Sequence, residues 1–465
     1  MRNKITNNRE RANKLVITKK ENKFLSFVTC YLLPIISPIP RSLLPLFVLI
    51  ILALAGPLAA PLAAQSREGE NLTVKIAVMG PGTELYFWWG HIALVIEDSN
   101  TGINRFYDYG LFSFRNEKFF LNFAMGRLLY SCGASPEYAN IAAYIFNNRD
   151  ITVYTLDLPP AKREQIKRFA ETNILPENRD YYYHHFRDNC CTRIRDIIDL
   201  ATDGQFMAQY GDAPGRFTLR QHVRRHTWFS PFADWMLNFL MGQNIDKPTT
   251  VWQEMFLPSE VGKRITDFSY NDSNGVARQL VSDVEIVNRA IGRPAVLDVP
   301  RKQWPRELAL SMAIMLIICV FYFIQTRKPI LGQVLVGVSQ SLAGLFFGGF
   351  GLALFFMSNF TNHDYTFHNM NLIFANPLLL AAVPLGIMYA KAPNARSREL
   401  PELLLRLLWL LVLLGIFASM LLKLLPMFYQ ANLVDQMLML PIAAIFALEP
   451  FGLAEMVKSV FWRWF

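Results

Sequence analysis

Cysteine is scarce in this chain, with five residues in 465. Cys30 and Cys319 lie in apolar segments, which leaves Cys132, Cys190 and Cys191 for the polar middle region. Three cysteines do not build a disulfide framework, so a small stapled secreted fold is excluded. No glycine-rich phosphate loop and no internal repeat is present, which removes the nucleotide-binding and solenoid classes. His184, His185, Cys190 and Cys191 are spaced H-H-x4-C-C. That run lacks the C-x2-C or H-x3-H separation that lets two ligands reach one zinc ion, so no metal is assigned. No cofactor motif is found either. The net charge of +9 lies partly in the basic N-terminus and partly in short loops between apolar runs. It reads as a membrane topology signal and not as a nucleic-acid footprint.

What the chain has in abundance is apolar sequence, at 52% hydrophobic residues. A basic front, an apolar middle from Leu43 to Ala64 and small residues before Gln65 predict a secretory signal or signal anchor within residues 1–64. Five further runs, near 308–325, 331–357, 371–390, 403–424 and 437–455, are each long enough to cross a bilayer. Lys and Arg mark alternate loops: Arg327 and Lys328, then Lys391, Arg396 and Arg398, then Lys458 and Arg463. Loops 358–370 and 425–436 carry neither. The basic loops are therefore expected in the cytoplasm, with the polar region outside. The expected organisation is a signal segment (1–64), an outside domain (65–288), a linker (289–306), a membrane domain of about five helices (307–456) and a cytoplasmic tail (457–465).

Within the outside domain, LTVKIAVMG, HIALVIED, NRFYDYG, RLLYSCG and DITVYTLDL read as strands. EKFFLNFAMG, PEYANIAAYIFNN and PPAKREQIKRFAETNIL read as helices, the last opening on proline. The predicted class is α+β, with a small antiparallel sheet.

The stretch YYYHHFRDNCCTRIRDIIDLA contains the chemistry. Ile194, Ile197, Ile198 and Ala201 share one helical face, and Asp188 or Asn189 can cap that helix. Cys190 then falls in the first turn, where the dipole and free N–H groups stabilise a thiolate and an oxyanion. His91, after Gly90 at the head of a strand, is the candidate base, and Asp108 the candidate residue to orient it. Local features alone leave open that Cys190 is a buried structural thiol, and Tyr107 and Tyr109 compete with Asp108. Trp88 and Trp89 suit an acyl-chain wall or core aromatics alike. RQHVRRH, at 220–226, suits a solvated basic face or contacts to lipid phosphate.

Together, WGHIALVIED, NRFYDYGLFSF, FAMGRLLY, HHFRDNCCTRIRD, EMFLPSE and a helical segment with HNMNLIFANP resemble, in this order, the Lnb family of bacterial lipoprotein N-acyltransferases. The resemblance covers roughly residues 72–455. It implies a circularly permuted papain-like domain, as in NlpC-type hydrolases, in which the histidine precedes the cysteine. It places the nucleophile at Cys190 and the base at His91. Cys191 stands where the family is expected to carry a small residue. Asp108 would complete the triad. Asn189, Trp89, His368 and Asn371 are further candidates for supporting the site. The implied reaction moves an acyl chain from a membrane phospholipid, through a cysteine thioester, to the N-terminal amine of a diacylated lipoprotein. The expected location is the inner membrane, with the catalytic domain in the periplasm. A membrane-anchored cysteine peptidase or phospholipase of the same fold is the first alternative, and a non-catalytic receptor the second.

Overall fold

Alternation along the first strand is two-sided: Leu72, Val74 and Ile76 enter one core, and Ala77 and Met79 another. A strand with both faces buried needs cover on both sides, and the computed structural model, which describes residues 68–112 and 118–449, supplies it. The signal segment, Cys30, the tail and the end of the fifth apolar run lie outside the described residues.

Seven strands make one antiparallel sheet in the order β6-β4-β3-β2-β1-β5-β9. They are β1 (Leu72–Met79), β2 (His91–Asp98), β3 (Ile103–Leu111), β4 (Leu129–Pro136), β5 (Ile151–Leu156), β6 (Asp180–Tyr182) and β9 (Val281–Asn288). A separate hairpin pairs β7 (Ser269–Asn271) with β8 (Ala277–Gln279). The helices used below are α1 (Phe119–Ala124), α2 (Glu137–Phe146), α3 (Pro160–Asn173), α4 (Cys190–Ala201), α5 (Leu219–Thr227) and α6 (Pro231–Leu240). The apolar segment adds α7 (Trp304–Arg327), α8 (Pro329–Phe360), α9 (Ala382–Lys391), α10 (Ala395–Leu422) and α11 (Leu433–Leu448). Ile166 and Ala170 of α3 and Ile194, Ile197 and Ile198 of α4 cover one face of the sheet. Ile141 and Tyr144 of α2 pack on the other.

The expected five spans are only partly matched. α7, α8 and α10 are long and apolar enough to cross a membrane, whereas α11 and the segment ending in α9 are shorter. The run 371–390 is broken into 3-10 turns at Met370–Ile373 and Pro377–Ala381 before α9 begins. Asn376 is extended ahead of Pro377, as the proline ring requires, and its side chain caps the new turn. The first span begins at Trp304, with Pro305 at a helix start.

A polar seam joins the two halves of this compact unit. Asn369 donates to the Phe239 and Leu240 carbonyls, and Asn371 to Phe239 at 2.9 Å. Gln430 reaches the Met241 carbonyl at 3.2 Å, and the Asn238 amide donates to Asp435 at 3.0 Å. Each group is buried, so removing one leaves its partner desolvated and unpaired. Helix α5 was expected to be a solvated basic face or a lipid contact and is neither. Arg220 is buried and bonds Asp246 through both Nε, at 2.7 Å, and a terminal nitrogen, at 3.0 Å. His222 is buried against Glu254 at 3.0 Å. Carboxylates 26 and 32 residues away pair with a stretch that has basic residues and no acidic one of its own.

Gly242 donates its N–H to the Tyr365 carbonyl at 2.7 Å, and a Cβ there would fall 2.2 Å from the Phe367 carbonyl oxygen. Gly242→Ala must therefore part the seam. We expect it to destabilise the chain by about 1–3 kcal/mol, the usual cost of overpacking, read as a lower thermal midpoint of the detergent-purified protein. An unchanged midpoint would show that the seam is not tightly packed.

Candidate active site

Helix α4 starts where Asn189 stops the extended chain. Its side-chain oxygen accepts from the N–H groups of Cys191 and Thr192, both at 2.9 Å, and the Thr192 hydroxyl accepts from the Asn189 N–H at 2.8 Å. This reciprocal box fixes Cys190 as the first helical residue. The Asn189 amide also donates to the His185 carbonyl at 2.8 Å and the Phe256 carbonyl at 3.0 Å. Asn189, and not Asp188, is thus the cap; Asp188 instead pairs with Arg193 at 2.8 Å. The expected supply of free N–H groups at this helix start is smaller than the sequence suggests. Cys191, Thr192 and Arg193 are all engaged by Asn189, and among the described residues only the Cys190 N–H of that turn is left without a partner.

His91 opens β2, and Asp108 lies on the same sheet face, opposite Ala93 in the register of β2 and β3. Nε2 of His91 meets Oδ1 of Asp108 at 3.0 Å, and the Gly110 N–H donates to the same oxygen at 2.6 Å. A Cβ on Gly110 would lie 2.7 Å from the His91 ring, so glycine at that position keeps the imidazole in place. Tyr107 and Tyr109 alternate to the opposite face and are buried in the core, which separates them from His91. With Nε2 held by the carboxylate, Nδ1 is the nitrogen left for a neighbouring thiol. The Tyr144 ring stacks beside His91, with centroids 6.3 Å apart.

The charges follow from this geometry. The Cys190 thiol is held well below its ordinary value by a hydrogen bond from Cys191, against burial, and by His91 beside it. The two sulfurs are 3.9 Å apart. Burial and the adjacent Cys190 push Cys191 well up. His91 is raised despite burial, chiefly by Asp108, and Asp108 is lowered despite its own burial by His91. The arrangement favours a Cys190 thiolate beside a His91 imidazolium, with Cys191 a neutral donor to that thiolate. Cys132 is a separate, buried thiol that donates to the Asn173 carbonyl at 3.0 Å, and burial pushes it up to about 11.

Trp89 packs on the cluster of Val223, Met241 and Ile245, and its indole N–H is buried without a partner among the described residues. Asn371 is fully buried in the seam, bonded to Phe239, Asp435 and Asn432. His368 is exposed on the same loop in a left-handed conformation, φ +53°, uncommon for any residue but glycine. His184 binds Asp364 at 2.8 Å and does not converge with the cysteines; among the described residues no three His, Cys, Asp or Glu side chains are grouped to hold a metal.

Sequence reasoning missed Arg149 and the seam contacts of the site. Arg149 is 1% exposed, bonds the Gly80 carbonyl at 2.9 Å and lies between the rings of Phe87 and Tyr144. No local pattern marks it. Asp364, which holds both His184 and Arg187, is 180 residues from His184. Tyr130 and Tyr183 stack with centroids 4.1 Å apart, and the nearby Cys190 charge helps burial to raise both hydroxyls.

Residues 62–225 match the family model of the Lnb N-terminal periplasmic domain, a span that contains His91, Asp108 and Cys190. No curated protein and no solved structure matched the chain.

A depressed thiol reacts below the ordinary cysteine range of about 8.5. Iodoacetamide at pH 6–7, about 1.5 units or more below that value, should alkylate Cys190 of the folded protein and spare Cys191 and Cys132, as read by peptide mass. His91→Ala should move the pH dependence of Cys190 alkylation upward. Equal labelling of Cys190 and Cys191, or a profile that His91→Ala leaves unchanged, would contradict the ion pair.

Proposed function

We propose that this chain, whose residues 62–225 match the family model of the Lnb N-terminal periplasmic domain, is a membrane-bound thiol acyltransferase acting on bacterial lipoproteins. It is a membrane-anchored protein with a periplasmic domain. The observation that carries the proposal is a low-pKa Cys190 beside a His91–Asp108 pair, in a domain bonded to the loops of apolar helices. We infer an inner-membrane location, several spans and an outside domain of residues 65–288. The order His91 before Cys190 fits a circularly permuted papain-like fold.

In the proposed reaction the Cys190 thiolate attacks an ester carbonyl of a phospholipid. The resulting oxyanion lies at the start of α4, where the Cys190 N–H is unengaged. The C–O bond breaks, and the His91 imidazolium gives its proton to the departing lysophospholipid oxygen. The acyl-thioester then receives the amine of a diacylated lipoprotein. His91, now neutral, takes a proton from that amine as the C–S bond breaks, and the thiolate–imidazolium pair is restored. Asp108 keeps the imidazole oriented through both steps. A lipid acceptor and a lipid donor both require a site at the membrane surface, and the pairing of His184 with loop residue Asp364 and the bond donated by the Asn362 N–H to the Met125 carbonyl support that setting.

Incubation with phospholipid and no acceptor should leave one acyl group on the wild type and on Cys191→Ala, seen by intact mass and removed by hydroxylamine. Cys190→Ala should carry none. An adduct that persists in Cys190→Ala, or none on any form, would overturn the thioester and favour a hydrolase or a receptor on the same fold.

A further inference from the structure

A cavity of about 420 Å³, lined by none of His91, Asp108 and Cys190, lies where residues 243–248 of the sheet-bearing half meet residues 423–429 beyond α10. Lys247 and Lys423 both line it. Its single carboxylate, Asp246, is already compensated by the two bonds from Arg220 and also accepts the Ala431 N–H at 3.0 Å. The wall is therefore cationic. Lys423 spends one N–H on Gln436, at 2.7 Å, and among the described residues has two more for a ligand. The Gln243 side-chain oxygen is buried at the wall and has no partner among the described residues. It is an acceptor that awaits a donor.

The position of the cavity at the end of α10 bears on its occupant. Helix α10 runs 28 residues from the Arg396 and Arg398 end to Leu422, and Lys423 caps it. That length exceeds a hydrocarbon core of about 30 Å, so Lys423 lies at the lipid–water boundary on the side of the catalytic domain. Leu424, Met427 and Tyr429, all on the rim, are exposed. Apolar residues, a tyrosine and a lysine at that level face lipid headgroups. We propose that this cavity binds the headgroup of one glycerophospholipid: its phosphate between Lys247 and Lys423, a headgroup N–H or O–H on Gln243, and its chains along Leu424 and Met427. The site is separate from the catalytic residues, and it rests on the membrane setting and not on acyl transfer.

The test uses the full chain in detergent, dioleoylphosphatidylethanolamine as probe and native mass spectrometry as readout. The wild type should retain one lipid as detergent is stripped. Lys247→Gln should lower occupancy, and Lys247→Gln with Lys423→Gln should lower it about tenfold or more, from the loss of two surface cations. Lys391→Gln, at the other end of the helices, should retain the lipid. Cys190 alkylation at neutral pH in each variant checks that the fold is intact. Equal retention by the double variant, equal loss in Lys391→Gln, or displacement of the lipid by millimolar inorganic phosphate would overturn the site. Because no step depends on thioester formation, failure here and failure of the acyl-transfer proposal are distinguishable.

Discussion

The Asn189 side chain makes four hydrogen bonds that decide where Cys190 sits. Two hold the first turn of α4, one holds the His185 carbonyl and one the Phe256 carbonyl. The thiol helix, the turn that touches the membrane loop and the EMFLPSE stretch therefore converge on one buried amide. An uncapped start would leave two donors buried without partners, a cost of about 1 kcal/mol or more. It would also leave the Cys190 position undefined relative to His91. The same cap removes two N–H groups from the turn, so the helix start offers one backbone donor and not several.

The apolar helices are bonded to the sheet-bearing half through buried polar groups. Glu254 accepts from His222 and from the N–H groups of Arg216 and Phe217, which fixes the start of α5 against the chain that follows α4. Arg220 then ties α5 to the end of α6, and α6 to the Asn369–Asn371 turn. The buried polar groups of the seam satisfy one another across the two halves. Such a network specifies one docking geometry, because any shift leaves several groups desolvated at once. The same network fixes the sheet-bearing half, with Cys190 in it, relative to the apolar helices.

Local signals made the sheet and the thiol helix legible. HIALVIED forms β2 with the expected limits, because alternation and an initial Gly-His mark a strand that begins at a turn. Cys190 at a capped helix start followed from Asn189 and the isoleucine spacing. Asp108 was separable from Tyr107 and Tyr109 only once the pleat was known. β9 was not anticipated: it is an edge strand with a largely exposed face, so its pattern lacks the burial signal that marked the others. Arg149, Asp364 and the neutralised helix α5 were hidden for a different reason. Their partners are remote in sequence, and no window along the chain contains both members of a pair. The same holds for the broken third apolar run, whose Asn371 bonds the Phe239 carbonyl across the seam.

The most direct test of the account follows the acyl chain itself. The full-length protein would be placed in proteoliposomes with phospholipid carrying a labelled acyl chain and with a synthetic diacylated lipopeptide. The account predicts label on the peptide's N-terminal amine, as a hydroxylamine-stable amide, with lysophospholipid formed in equal amount and neither product from Cys190→Ala. Label released as free fatty acid, with the peptide unmodified, would contradict transfer and identify a lipid hydrolase instead.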